Sequence, residues 1–541
     1  MGLLHNPAAM PTTPSAPHVQ SLRGTLRHPG FRAIWVTSWV YFTGNAMQGM
    51  AASWLMVELT GSSFLAALVQ TAVFLPMFVL SLPAGVLADT TDRKRLLLIA
   101  LSAQAVVLTL LGGLIAAGWA GPATVLLLTF MSGCCTAVLM PAWNSAVGEI
   151  LPRDELPQAI IAMSVAYNGA RALGPAMAGV IYGLAGGGAV LALAVAGTLV
   201  MLQSFRRRPP RAHPASRLPA ERLWGGTLAG LRYAWHSQTI LAQLVRTAAY
   251  GGAGSALWAL LPAIGQQSLG LGAAGFGLMM GCLGTGAVAT GLVIGRLRLR
   301  IGLEKMVSGG CVLFAGAMAV AGLSRWHAPV YVALVIGGAA WMAVMSTFNT
   351  ATQTSAPPWV RSRASALHVL SALGAFAIGS AFWGAVSALA GLSFALGLAA
   401  LLMLVGLGLQ RRFPLRMGDA DDVTPAAPFE DLLIADEPHP DAGPVAVELS
   451  YRIQPGEAEN FLGQVSALRA PRQRDGATFW RIYRDLGDPT RYVERFIVTS
   501  WADYLHQRAR ATLADQELES RVREFLVPGE AVTMQHYIAE R

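Results

Sequence analysis

Few residues in this chain are equipped for chemistry, and most of those sit among apolar neighbours. Asp89 stands beside three cations in Asp89-Thr-Thr-Asp92-Arg93-Lys94-Arg95, a spacing suited to ion pairing or to capping a helix N-terminus. Arg171 lies deep in an apolar run, Asn168-Gly-Ala-Arg171-Ala-Leu-Gly174-Pro175-Ala-Met-Ala-Gly179. A cation within a membrane span costs at least ~2.5–3.5 kcal/mol unless paired or wetted, so Arg171 needs a partner or a function. Gln243, Arg246 and Tyr250 recur at three- and four-residue spacing, which puts an amide, a guanidinium and a phenol on one helix face. Acids within the apolar runs are confined to their ends, at Glu58 and Glu149. Cys134, Cys135, Cys282 and Cys311 have no metal-type spacing, and no GxxxxGK[ST] phosphate loop is present. No catalytic residue, metal or cofactor is expected, and the chain is not read as an enzyme.

The elements that must hold these residues follow from composition. Of 541 residues, 54% are hydrophobic and only 13% charged, with a mean hydropathy of +0.48. A soluble domain carries about 25% charged residues, so the main body is a polytopic membrane protein. Crossing a bilayer takes about 20 apolar residues. Such runs recur twelve times, near 33–57, 64–88, 95–117, 122–147, 158–183, 187–205, 239–264, 273–295, 304–323, 329–352, 364–389 and 391–410.

Residues 1–413 hold 25 Lys+Arg against 8 Asp+Glu, while residues 414–541 hold 14 against 22. The basic excess falls in alternate short loops, and the opposite loops offer only Arg325. That is a signature of membrane topology, not of a nucleic-acid surface; it predicts both termini in the cytoplasm and the lipid bilayer as partner. The expected organisation is a cytoplasmic N-terminal segment (1–32), a six-helix half (33–205), a basic Pro-rich linker (206–238), a second six-helix half (239–411), a linker (412–444) and a folded tail (445–541). One surface helix is expected near Leu223–Trp235. Two six-helix halves are typical of transporters built from repeats.

Gly85-Val-Leu-Ala-Asp89 through Arg95 resembles the signature loop of the major facilitator superfamily. In that resemblance Gly85 allows close helix approach, and Asp89 with Arg93 forms a conformational latch holding the halves closed on the cytoplasmic side. Thr90 and Asp92 depart from the usual basic residue and glycine, and Gly295 stands at the corresponding point of the second half where an acid would latch. The Arg171–Gly174–Pro175–Gly179 stretch resembles the bent, tightly packed exporter-type motif of span 5. Val57–Ser62, Pro141–Ala159 and Phe348–Ala364 are similar to the branch of transmembrane secretion effectors, which includes enterobactin exporters. The resemblance implies a central cavity lined by spans 1, 4, 7 and 10, where this chain offers Asn45, Gln48, Asn144, Gln243, Arg246, Tyr250 and Asn349. Among these Arg246 is expected to be the substrate-binding cation.

In the tail, strands at Val445–Ile453, Thr478–Arg484, Tyr492–Thr499 and Ala531–Ile538 alternate with helices at Gly456–Leu468 and Ala502–Phe525. This β-α-β-β-α-β order predicts a ferredoxin-like α+β domain. It resembles the dimeric antibiotic-biosynthesis monooxygenase fold, which relies on residue types supplied here by Asn460, Trp480 and His506. The expected role is regulation or self-association, with the open sheet face covered by a second copy or by the basic 206–236 linker. The expected function is export of a small amphipathic molecule, of siderophore or drug type, across a bacterial inner membrane by alternating access, driven by proton motive force. The alternatives are an importer of the same fold, or a membrane-tethered enzyme or sensor acting through the tail.

Overall fold

The computed structural model describes residues 26–148, 155–207, 223–426 and 438–540, so Arg23, Glu149, Arg153 and the middle of both linkers lie outside the described residues. In hydrocarbon every backbone group must bond within its own segment, and the long apolar runs accordingly become helices. Spans 1–4 are Pro29–Thr60, Ser63–Thr90, Arg93–Ala116 and Pro122–Gly148. Spans 5 and 6 form one continuous stretch, Leu156–Arg206, interrupted only at Gly186, whose φ of 78° lies in the left-handed region. Spans 7–12 are Gln238–Ala263, Ala273–Ile301, Leu303–Leu323, His327–Thr354, Arg361–Ala390 and Leu392–Arg412.

Nine helices among the described residues are long and apolar enough to cross a membrane by length and composition, one of them containing both spans 5 and 6. Spans 1 and 7, at 32 and 26 residues, have the length but a more polar make-up. Their polar side chains are buried: Ser38, Gln48 and Ser53 in span 1, and Gln243, Arg246, Thr247 and Ser255 in span 7. Polar atoms removed from water need protein partners, so these two helices belong at the centre of their halves. Small residues let them sit there. A Cβ on Gly44 would meet Ala194 Cα at 2.9 Å, and one on Gly197 would meet Val40 O at 2.9 Å, so span 1 lies backbone to backbone against span 6. Asp92, a departure from the family pattern, caps span 3 by accepting from Arg95 N at 2.8 Å.

The tail is a four-stranded antiparallel sheet of β1 (Val445–Arg452), β2 (Phe479–Arg484), β3 (Arg491–Val498) and β4 (Thr533–Ile538) in the order β2-β3-β1-β4. Val445, Val447, Leu449 and Tyr451 alternate into the core as their period predicts, joined there by Phe461, Val465, Phe496 and Val498. Phe479 and Tyr483 instead lie on the opposite face with Tyr537, since their register partners Ile497 and Val493 are the outward residues of β3. The helix expected over Ala502–Phe525 is two helices, Trp501–Arg510 and Leu513–Arg523. Thr512 and Asp515 form a capping box that starts the second, and Ala511, at ψ 137°, breaks the first. An added helix, Arg469–Asp475, extends the one at Ala458–Ala467.

The tail docks on the second half. Helix Leu223–His236 packs Tyr233 and Ala234 against Ala356, Val360 and Ala364, and helix Arg469–Asp475 rests on it. Arg232 Nη1 donates to Gly476 O at 2.9 Å, and the Arg510 guanidinium lies 4.4 Å above the Trp359 ring. The linker helix therefore meets the helical side of the tail. For this described part of the linker the expectation of cover for the open sheet face is corrected, because its apolar side is taken by Ala356, Val360 and Ala364 and Arg232 reaches the helical side of the tail; residues 208–222 lie outside the described residues.

Candidate functional site

The two halves meet at one membrane face. Spans 2 and 11 join through Ser63 Oγ and Ser387 Oγ at 2.7 Å, Thr71 Oγ1 donating to Ala377 O at 2.9 Å, and an edge-on pair of Phe74 and Phe376. Spans 5 and 8 join through glycines. A Cβ on Gly179 would lie 2.5 Å from Gly277 Cα, and one on Gly284 would lie 2.7 Å from Ala172 Cα. Gln267 Nε2 closes the rim by donating to Gly61 O at 2.7 Å. Towards the arginine-rich face the same helices diverge, leaving Val79, Leu82 and Leu292 exposed and open space around Gly85 and Gly295. The molecule is thus sealed at one end and open at the end carrying the basic loops.

The exporter-type motif builds that seal. Gly174 sits against Thr43 O of span 1, at 3.0 Å from its would-be Cβ, while Pro175 and Gly179 face span 8. Arg171 lies midway between Leu156 and Gly186 and is exposed, with its guanidinium 5.7 Å from the Tyr167 ring centroid. Tyr167 packs edge-on against Phe42, which also meets Trp143. Among the described residues Arg171 has no acidic partner.

Arg246 is placed differently from its expectation. It is 4% exposed, and its Nη1 donates to both oxygens of Glu304 at 2.6 and 2.8 Å. Glu304 also accepts from Leu415 N, and Gln243 Nε2 reaches Ser355 Oγ and Arg416 O, each at 3.3 Å. Arg246 and Gln243 therefore tie span 7 to spans 9 and 10 and to the chain leaving span 12. The reading of Arg246 as the substrate cation is corrected, because Glu304, in the first turn of span 9, already neutralises it. Tyr250 is buried and stacked on Trp341 at 5.2 Å, inside an aromatic group with Trp258, Phe314 and Phe376. Its hydroxyl has no hydrogen-bond partner among the described residues.

The remaining candidates divide. Asn45 accepts from Gln104 Nε2 at 3.2 Å in a network with Tyr41, Ser132 and Thr136 that joins spans 1, 3 and 4. Gln104 was not singled out from the sequence, since a lone amide in a predicted outer span carries no periodic signal. Gln48 is buried with its Nε2 unbonded among the described residues, whereas Asn144 and Asn349 are exposed, the latter accepting from Gln353 Nε2. At the basic loop, Arg93 Nε reaches Ala88 O at 3.4 Å, and the Asp89 side chain lies outside the described residues.

The tail residues compared with monooxygenases do not converge on one another through any hydrogen bond among the described residues. Asn460 is exposed and donates to Glu457, while Trp480 Nε1 donates to the buried Glu494 at 2.9 Å. Glu494 also accepts from Arg472 and Tyr451, so one buried carboxylate is satisfied by three donors within the apolar core beneath the sheet. His506 lies at a surface groove with His439 and Trp501.

Residues 21–541 match the family described as "Transmembrane secretion effector". The enterobactin exporter EntS of Salmonella typhi is 28% identical over 407 residues, covering 71% of this chain and 94% of that protein. The staphyloferrin A transporter of Staphylococcus aureus is 28% identical over 146 residues, covering 27% of this chain and 37% of that protein. Among solved structures, the nucleoside transporter NupG shares the fold with a TM-score of 0.59 at 12% identity, covering 72% of this chain and 100% of that one. A bacterial homologue of the human lysosomal transporter Spinster, in an inward-facing conformation, gives a TM-score of 0.55 at 15% identity, covering 71% of this chain and 95% of that one.

Proposed function

The chain belongs to the transmembrane secretion effector family of the major facilitator superfamily, and from that premise we propose that it is a secondary active exporter of a small amphipathic molecule, of siderophore or antibiotic type. The observation that carries the reading is that the halves are joined at the Gly61–Ser63 rim while open space surrounds Gly85 and Gly295 on the face of the arginine-rich loops. By the positive-inside rule that open face is cytoplasmic, so both termini and the docked tail lie in the cytoplasm and the cavity loads from inside. Alternating access then requires the span 2–11 and span 5–8 contacts to part while the basic-loop end closes, with Gly85, Asp89 and Arg93 as the latch. Proton motive force supplies the energy in this reading. In this reading the tail is a regulatory or self-associating module, and its docking through Arg232 and Arg510 supports a regulatory role.

The test compares producing cells with and without the chain, profiling small molecules in medium and cell extract by mass spectrometry. Export predicts that its removal depletes at least one compound from the medium and raises it in the cells. An unchanged medium, or a compound left outside that cells normally take up, contradicts it.

A further inference from the structure

Resting on the transporter reading, we propose that the Arg171 face of span 5 is the anion-binding pole of the cavity, taking a planar aromatic molecule that carries a carboxylate or comparable oxyanion. Position comes first. Helical period places Ser164, Asn168 and Arg171 together, on the side opposite the exposed apolar residues Leu173, Met177, Val180 and Leu184. The flanks between these two faces are occupied, by span 1 against Gly174 and by span 8 against Ala172 and Gly179. The Arg171 face is therefore directed between the halves and away from lipid.

Chemistry supplies the rest. A mid-span guanidinium is tolerated when water or a ligand meets it, and two other span cations are already engaged: Arg246 by Glu304, and Arg298 by Ser346 Oγ at 3.2 Å. Tyr167 holds one face of the Arg171 guanidinium through a cation–π contact and is itself backed by Phe42. That leaves the planar N–H edges for paired hydrogen bonds to two oxygens, a geometry lysine cannot reproduce. The second half contributes an aromatic group of half-buried Trp258, Trp341 and Phe376, of the kind suited to an aromatic body.

Equilibrium dialysis of the purified full chain against salicylate and its neutral amide, salicylamide, tests this. The wild type is expected to bind the acid about tenfold or more tighter than the amide, the scale of a single charge-assisted contact. Arg171→Gln removes that preference, bringing the acid down to the affinity of the amide or below, and Arg171→Lys retains only part of it. Should Arg171→Gln fail to fold, Arg171→Met, which keeps the apolar stem, carries the same expectation. Equal binding of acid and amide by the wild type, or a full preference in Arg171→Gln or Arg171→Met, overturns the proposal. The direction of transport fails separately: an unchanged medium profile with the acid preference lost in Arg171→Gln removes export and leaves the anion pole standing.

Discussion

Arg246 shows how a residue legible by type is assigned by its partner. Its helix face was readable from Gln243 and Tyr250, but Glu304 is 58 residues away in sequence and no local pattern links them. Removing one side of such a pair leaves a poorly solvated charge. Because Glu304 is about one-third exposed, Arg246→Ala should destabilise by roughly 1–3 kcal/mol, below the range for fully buried pairs. Thermal unfolding of the detergent-purified protein checks this; unchanged stability with impaired ligand binding would restore the substrate role. A second residue-scale consequence lies in the tail. Burial pushes Asp475 up to about 6, against the opposing pull of the Arg474 guanidinium. An acid whose folded pKa is raised loses stability as pH climbs from its ordinary value of 3.8 through about 6, because the folded state holds the proton longer. His536, whose pKa burial pushes down, acts oppositely: its contribution disappears as pH falls below 6.5. The difference between proteins isolates Asp475. Hydrogen exchange in β1–β3 should show Asp475→Asn gaining about 1–3 kcal/mol relative to wild type between pH 4 and 7. A pH-independent difference would show that Asp475 does not titrate there.

At the scale of elements, much was readable because hydropathy and period are local. The twelve apolar runs, the surface helix near Leu223 and the succession of strands and helices along the tail all follow from them. What escaped depends on backbone detail or on contact across the fold. Gly186 joins spans 5 and 6 with a single left-handed residue, and the Thr512–Asp515 capping box divides a helix whose apolar period looked continuous. Gly179 was recognised by motif, but its partner Gly277 could not be. Their backbones are too close for any side chain, so Gly179→Leu should force spans 5 and 8 apart at the seal. In a Ser387→Cys background, where Ser387 is otherwise buried beside Ser63, an impermeant maleimide added outside should label the Gly179→Leu protein several-fold faster than its parent. Equal labelling would mean that this contact does not maintain closure.

For the whole molecule, the conformation joins the parts. One end is sealed by Ser63, Thr71, Gly179 and Gln267, and the other is open around Gly85 and Gly295. The tail travels with the second half, because Phe413 through Gly418 bond to Arg246, Glu304, Gln243 and Ser355, and Arg510 lies over Trp359. A change in tilt between the halves would therefore move the tail relative to the first half, giving regulation a mechanical route. The proposed orientation rests on arginine distribution, which is a sequence property; the sealed end was not legible, since it reflects which of two packings is occupied. The most direct test of outward transport uses everted membrane vesicles, whose exposed face is the cytoplasmic one. Incubated with a small-molecule extract of the producing cells and energised by respiration, vesicles carrying the chain should accumulate at least one compound in the lumen. Vesicles lacking the chain, or treated with a protonophore, should not. Accumulation that occurs only in right-side-out vesicles, or none in either orientation, would contradict the account.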